Sequence, residues 1–154
     1  QEKLVGENGS LRMMFDGGEL GSMVFWGPPG CGKTTLAQML AERSDLNFKP
    51  FSAVLSGIKE VREAMQQAKL ERQQTQRPTL VFVDEIHRFN KAQQDAFLPF
   101  VEAGDIVLVG ATTENPSFEI VGPLLSRLTV HILEPLSEDD IVALLRTTLS
   151  DAER

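Results

Sequence analysis

Gly27-Pro28-Pro29-Gly30-Cys31-Gly32-Lys33-Thr34 stands between a short apolar run, residues 22–26, and a helical stripe with Leu36, Met39 and Leu40 on one face. The spacing is G-x-x-x-x-G-K-[ST], a phosphate-binding loop, and a strand before it with a helix after it is the context such a loop requires. Glycines let successive backbone N–H groups point inward around phosphate oxygens, where a side chain would block the approach. The helix opening near Lys33 adds the positive end of its dipole beneath them. Lys33 supplies a mobile cation for the β- and γ-phosphates, and the Thr34 hydroxyl can ligate Mg²⁺. We expect Gly27, Pro28, Pro29, Gly30, Cys31, Gly32, Lys33, Thr34 and Thr35 to hold a nucleotide.

Outward from the loop, runs of strand length alternate with helical stripes. Lys33–Arg43 reads as a helix, residues 48–51 as a weaker strand, and residues 57–76 as an amphipathic helix through Ile58, Val61, Met65 and Ala68. Residues 79–83 and 106–110 are apolar runs too short for a helix and read as strands buried on both faces, and residues 129–133 read as a fifth strand. Lys91–Ala103 is helical in pattern, although Pro99 should kink it or end it early. This alternation implies right-handed crossovers and a five-stranded parallel sheet with helices on both faces. After Pro135 the character changes: Ser137 and Asp140 resemble a capping box, ahead of an apolar stripe through Ile141, Leu144, Leu145 and Leu149. We expect residues 1–134 to form the nucleotide-binding core and 135–154 to begin a helical second domain. With no initiator Met at Gln1 and no finishing element at Arg154, the chain reads as a piece of a longer protein.

Leu80-Val81-Phe82-Val83-Asp84-Glu85 is the companion signal. Four apolar residues end in two acids, which places both carboxylates at the C-terminal edge of a buried strand, where parallel sheets bind ligands. Asp84 would hold Mg²⁺ directly or through water, and Glu85 would orient and deprotonate an attacking water. The next strand runs into Ala111-Thr112-Thr113-Glu114-Asn115, where a hydroxyl or amide could sit beside the γ-phosphate. Leu124-Leu125-Ser126-Arg127 places an arginine just ahead of the last strand.

Composition narrows the partners. The 154 residues carry 15 Lys plus Arg against 22 Asp plus Glu, a net charge of −7, which opposes a broad nucleic-acid-binding surface but not a local basic patch. No apolar stretch approaches the roughly 20 residues of a membrane helix. A single cysteine, Cys31, excludes an internal disulfide and fits a reducing cytoplasm.

Taken together, residues 27–34, Asp84-Glu85, Ala111-Thr112-Thr113 and Ser126-Arg127 resemble an AAA+ ATPase of the clamp-loader and RuvB branch. Asp84-Glu85-Ile86-His87-Arg88-Phe89-Asn90-Lys91, Gln93-Gln94-Asp95-Ala96-Phe97-Leu98-Pro99 and the run from Gly110 to Phe118 resemble one family within it. That family is the replication-associated recombination protein A family (RarA or MgsA), related to the Werner-helicase-interacting ATPases; RuvB is the second choice. The resemblance implies an ATPase of stalled replication forks, cytoplasmic and nucleoid-associated, with ATP and Mg²⁺ as ligands. It implies action on DNA ends and single-strand/double-strand junctions, association with single-stranded DNA-binding protein, and a homotetramer when full length. It further implies Thr113, rather than Thr112, as the γ-phosphate sensor and Arg127 as a finger reaching a neighbouring subunit's nucleotide. A fork-remodelling motor, a RuvB-like branch migration motor and an ATP-gated recruitment module with negligible turnover remain open as functions.

Other residues read as structural. His87 is expected to pack or hydrogen-bond, since Glu85 fills the base's role, and His131 to sit inside the last strand. Phe89, Phe97 and Phe100 read as core residues, Cys31 as a small loop residue, and Arg88 and Lys91 as a basic pair on solvated surface.

Overall fold

The computed structural model describes residues 20–30, 32–134 and 146. In chain order these form β1 (Met23–Trp26), α1 (Lys33–Arg43), β2 (Asn47–Ser52), α2 (Ile58–Thr75) and β3 (Thr79–Asp84). A 3-10 turn (Ile86–Arg88), α3 (Lys91–Ala103), β4 (Ile106–Thr112), α4 (Pro116–Glu119), α5 (Gly122–Leu125) and β5 (Thr129–Ile132) follow. The sheet has five strands, ordered β2-β3-β4-β1-β5, and every pairing is parallel. The expected second-domain helix, with Ser137 and Asp140, lies outside the described residues.

Side-chain alternation divides the central strands between two cores. Met23, Phe25, Leu80, Phe82, Val107 and Val109 face α1, packing on Leu36, Ala37, Leu40 and Ala41. Val24, Val81, Val83, Ile106 and Leu108 face the other way, against Val61 and Met65 of α2 and Phe97 of α3. A strand buried on both faces has no polar positions to spare, which is why β3 and β4 read as uninterrupted apolar runs. Phe89 and Phe97 are buried with ring centroids 5.8 Å apart, and Phe100 packs partly buried on the same core, all as expected.

β2 borders β3 alone. Asn47, Lys49 and Pro50 are exposed along it, and an edge strand tolerates a residue without an N–H. Among the described residues, no helix is long and apolar enough to cross a membrane.

Of the two effects expected of Pro99, an early end to the helix does not occur. α3 runs on undivided to Ala103. Proline lies on the exposed side of the helix, where the carbonyl it leaves unbonded can meet water. Both ends are fixed independently. Asn90 and Gln93 form a capping box, and Gly104 closes the helix at φ 78°. Gln94, buried in mid-helix, donates to the carbonyls of Phe89 (2.9 Å) and Glu119 (3.0 Å) and accepts the Val121 N–H (2.8 Å).

His131 lies opposite Phe25 in the β1–β5 register, its ring 6.1 Å from the phenyl ring, and only 4% exposed. Burial disfavours the imidazolium and pulls its pKa below the ordinary 6.5. The folded protein therefore binds this proton less readily than the unfolded chain. The stabilisation is whole above pH 6.5 and declines as the pH falls toward the lowered folded value. Thermal unfolding followed through that window should show a falling midpoint, and His131→Asn should flatten the fall; an unchanged pH profile in the variant would refute the assignment.

Candidate functional site

In a parallel sheet, the C-terminal ends of all strands share one edge. The order β3-β4-β1 puts three loops side by side there: the acid pair after β3, Thr113 after β4, and the phosphate loop after β1.

Gly27 leaves β1 buried, and its N–H donates to the Thr112 carbonyl at 3.1 Å, carrying the β1–β4 pairing into the first residue of the loop. Pro28, Pro29 and Gly30 then swing out to solvent. Gly30 (φ 80°) and Gly32 (φ 84°) occupy left-handed backbone, which glycine adopts without steric cost. A Cβ built on Gly30, which is itself exposed, would meet nothing within 4 Å. Gly32 is the N-cap of α1, and among the described residues no side chain caps that terminus. The first N–H groups of α1 are thus left for an external acceptor, and they carry the positive end of the helix dipole. Lys33 folds back across the loop, its Nζ donating to the carbonyls of Gly27 (2.6 Å) and Pro28 (3.0 Å). Thr34 is exposed and Thr35 half-buried on the first turn; Cys31 lies outside the described residues.

Across the edge, β3 is buried from Thr79 to Val83 and surfaces at Asp84, whose carbonyl accepts the Ala53 N–H at 3.1 Å. Glu85 is half-exposed and sits at φ 55°, ψ 46°, a left-handed conformation that costs a non-glycine residue roughly 1–2 kcal/mol. That backbone reversal starts the 3-10 turn, buries Ile86 against Gly110 and leaves the carboxylate toward solvent, 3.8 Å from Arg88 Nε. Arg88 and Lys91 are both exposed.

Thr112 and Thr113 differ sharply. Thr113 is exposed, whereas Thr112 is buried with its hydroxyl 2.8 Å from His87 Nδ1. His87 is therefore a hydrogen-bonding histidine, as expected. Arg127 lies at the opposite edge. It precedes β5, and its Nη2 is 3.3 Å from Glu102 Oε1, on the last turn of α3. The structure thus joins the phosphate loop, the acid pair and Thr113, and leaves Arg127 apart from them. Gln94 was missed as a positioning residue; nothing in the sequence sets it apart.

Mg²⁺ with a nucleoside triphosphate suits this donor set. The loop offers N–H groups, Lys33 a cation on a flexible stem, and Thr34 and Asp84 hard oxygen donors. Among the described residues, no group of three or more His, Cys, Asp or Glu could hold a metal ion.

The chain matches the model of the ATPase family associated with various cellular activities (AAA) over residues 23–136. It is 51% identical over its whole length to replication-associated recombination protein A of Haemophilus influenzae, covering 34% of that protein. Over 97% of its length it is 47% identical to ATPase WRNIP1 of Dictyostelium discoideum, covering 17% of it. Among solved structures, the Thermotoga maritima RuvB Holliday junction branch migration motor is similar with a TM-score of 0.64 and 29% identity, over 92% of this chain and 48% of that one. The chain spans about a third of the length of the recombination proteins it matches.

The left-handed Glu85 makes a prediction about stability alone. Glu85→Gly removes roughly 1–2 kcal/mol of backbone strain but adds roughly 0.5–1 kcal/mol of unfolded-state entropy. Urea unfolding should show the variant at least as stable as wild type and up to about 1.5 kcal/mol more so, while Glu85→Ala, which keeps the strain, should show no such gain.

Proposed function

The chain belongs to the AAA ATPase family, and on that premise we propose that it is the ATP-binding and ATP-hydrolysing core of a replication-fork maintenance and recombination protein of the RarA type. The observation carrying this reading is the meeting, at one sheet edge, of the uncapped α1 terminus with Lys33, the Asp84-Glu85 pair and Thr113. The 51% identity to a protein named for replication-associated recombination supports the cellular setting. RuvB ranks second, its structural match carrying 29% identity.

In this reading the N–H groups of residues 27–35 and Lys33 Nζ bind the phosphates. Lys33 exchanges its bonds to the Gly27 and Pro28 carbonyls for phosphate oxygens. Thr34 and Asp84 hold Mg²⁺, which when bound neutralises charge on the β- and γ-oxygens. Glu85 orients a water and takes its proton. Thr113, exposed at the end of β4, senses the γ-phosphate. Arg127 acts on a neighbour's nucleotide, because β5 starts at the sheet edge opposite its own chain's loop. In the intact protein, a homo-oligomer read as a tetramer, turnover is coupled to DNA ends or single-strand/double-strand junctions, alongside single-stranded DNA-binding protein. Turnover that does not respond to DNA ends would favour the ATP-gated recruitment module instead.

Two experiments test this. Lys33→Ala should weaken ATP binding by roughly ten- to a hundredfold, the worth of a hydrogen bond from a charged donor. Glu85→Gln should leave calorimetric ATP affinity intact while hydrolysis by the intact protein collapses; wild-type turnover in that variant would show that Glu85 is not the base.

Arg127→Ala should likewise abolish turnover with little change in ATP affinity, since an arginine finger contributes about 10³–10⁵ in rate. Mixing it with Glu85→Gln subunits should restore part of the activity, each interface drawing a base from one chain and a finger from the other. No recovery despite co-assembly would place Arg127 outside a shared site.

A further inference from the structure

The paired register of β3 and β4 ends at Val83↔Gly110. Beyond that rung the two strands carry the groups that would have to act together, Asp84 and Glu85 on one side and Thr113 on the other. Two side-chain contacts cross there. Ile86 packs on Gly110 so closely that a Cβ on the glycine would stand 3.0 Å from Ile86 Cδ1. One residue further along the turn and two further along β4, His87 Nδ1 is 2.8 Å from the Thr112 hydroxyl.

Thr112 is only 1% exposed and meets all three loops of the site. Its carbonyl accepts the Gly27 N–H of the phosphate loop (3.1 Å), and its Oγ1 accepts the Glu114 N–H just past Thr113 (2.9 Å). The same oxygen meets His87, two residues past Glu85. The hydroxyl has one proton, and either Nδ1 or the Glu114 carbonyl, at 3.2 Å, can accept it. Rotation of the turn that begins at Glu85 would break the contact to His87 while both Glu114 bonds remain, so the turn is held against rotation by about one hydrogen bond.

We propose that Thr112 and His87 are a positioning pair that holds Glu85 in place relative to Thr113 and the phosphate loop. Ile86 sets how deeply the turn sits, and the His87–Thr112 contact sets its rotation about the strand axis. Neither residue touches the nucleotide. The inference rests on the reading of Glu85 as the base, and the pair acts through that carboxylate.

The test is steady-state hydrolysis and calorimetric ATP binding by the intact protein carrying Thr112→Val, His87→Ala, both together, or Thr112→Ser. Each of the first two should lower kcat about tenfold, the order of one hydrogen bond, with KM and ATP affinity within about twofold of wild type. The double variant should be no slower than Thr112→Val alone, because that variant already lacks the contact to His87 along with the two bonds to Glu114. Thr112→Ser keeps the hydroxyl and should restore kcat to within about twofold of wild type. Wild-type kcat in either single variant, additive losses, a matching loss of ATP affinity, or a Thr112→Ser variant as slow as Thr112→Val would each overturn the proposal. If Thr112→Val does not fold, His87→Ala on the half-exposed turn still decides it. Glu85→Gln separates the two readings. Turnover in that variant removes the base assignment and this inference with it, whereas an inactive Glu85→Gln beside unimpaired His87→Ala and Thr112→Val removes only the pair.

Discussion

The parallel insertion of β4 between β3 and β1 is the constraint on which the rest of the structure depends. The chain leaves β1 for the far edge, returns through β3, and closes the gap with β4, so two strands distant in sequence become near neighbours in the sheet. Both faces of β4 are then covered, and all seven of its residues are buried. The burial is what makes the insertion stable, and the insertion is what gathers three functional loops at one edge. Replacing an inward residue such as Leu108 with a polar one would disturb the core and also loosen the spacing between the phosphate loop and the acid pair.

The same physics explains the local strain. Glu85 adopts a backbone conformation that costs energy, and it is held there from both sides: Ile86 behind it is buried, and Phe89 is locked against Phe97. Strain of this kind persists only where surrounding packing over-determines it, and it gathers where a side chain must point against the preference of its own backbone.

Much of this was legible in the residues. The spacing of residues 27–34 located the loop, and unbroken apolar runs located β3 and β4 because double burial leaves no other pattern. The acid pair was legible because a carboxylate directly after such a run has to lie at its exit. What sequence could not show were features made by packing in space. α4 and α5 are four residues each, too short for a periodicity to register. The continuation of α3 past Pro99 depends on which side of the helix meets solvent. Nothing in the sequence sets Gln94 apart as a structural residue, and only the approach of residues 119–121 turns it into a junction. Thr112 and Thr113 are chemically identical neighbours, and the end of β4 between them leaves one buried in the sheet and the other exposed beyond it.

The exposed border of β2 has a bearing on solubility. A strand bonded on one side offers its remaining backbone groups to any other strand that can align with them, which is how sheets stack into aggregates. Here the invitation is blunted by two consecutive residues. Pro50 has no N–H to offer, and Lys49, its ammonium 5.7 Å from the Phe51 ring centroid, would place a charge beside any incoming strand. A copy adding itself at this border would lose a rung and have to accommodate a cation, so strand addition there is disfavoured, and association by this molecule is left to surfaces where side chains, rather than backbones, make the match.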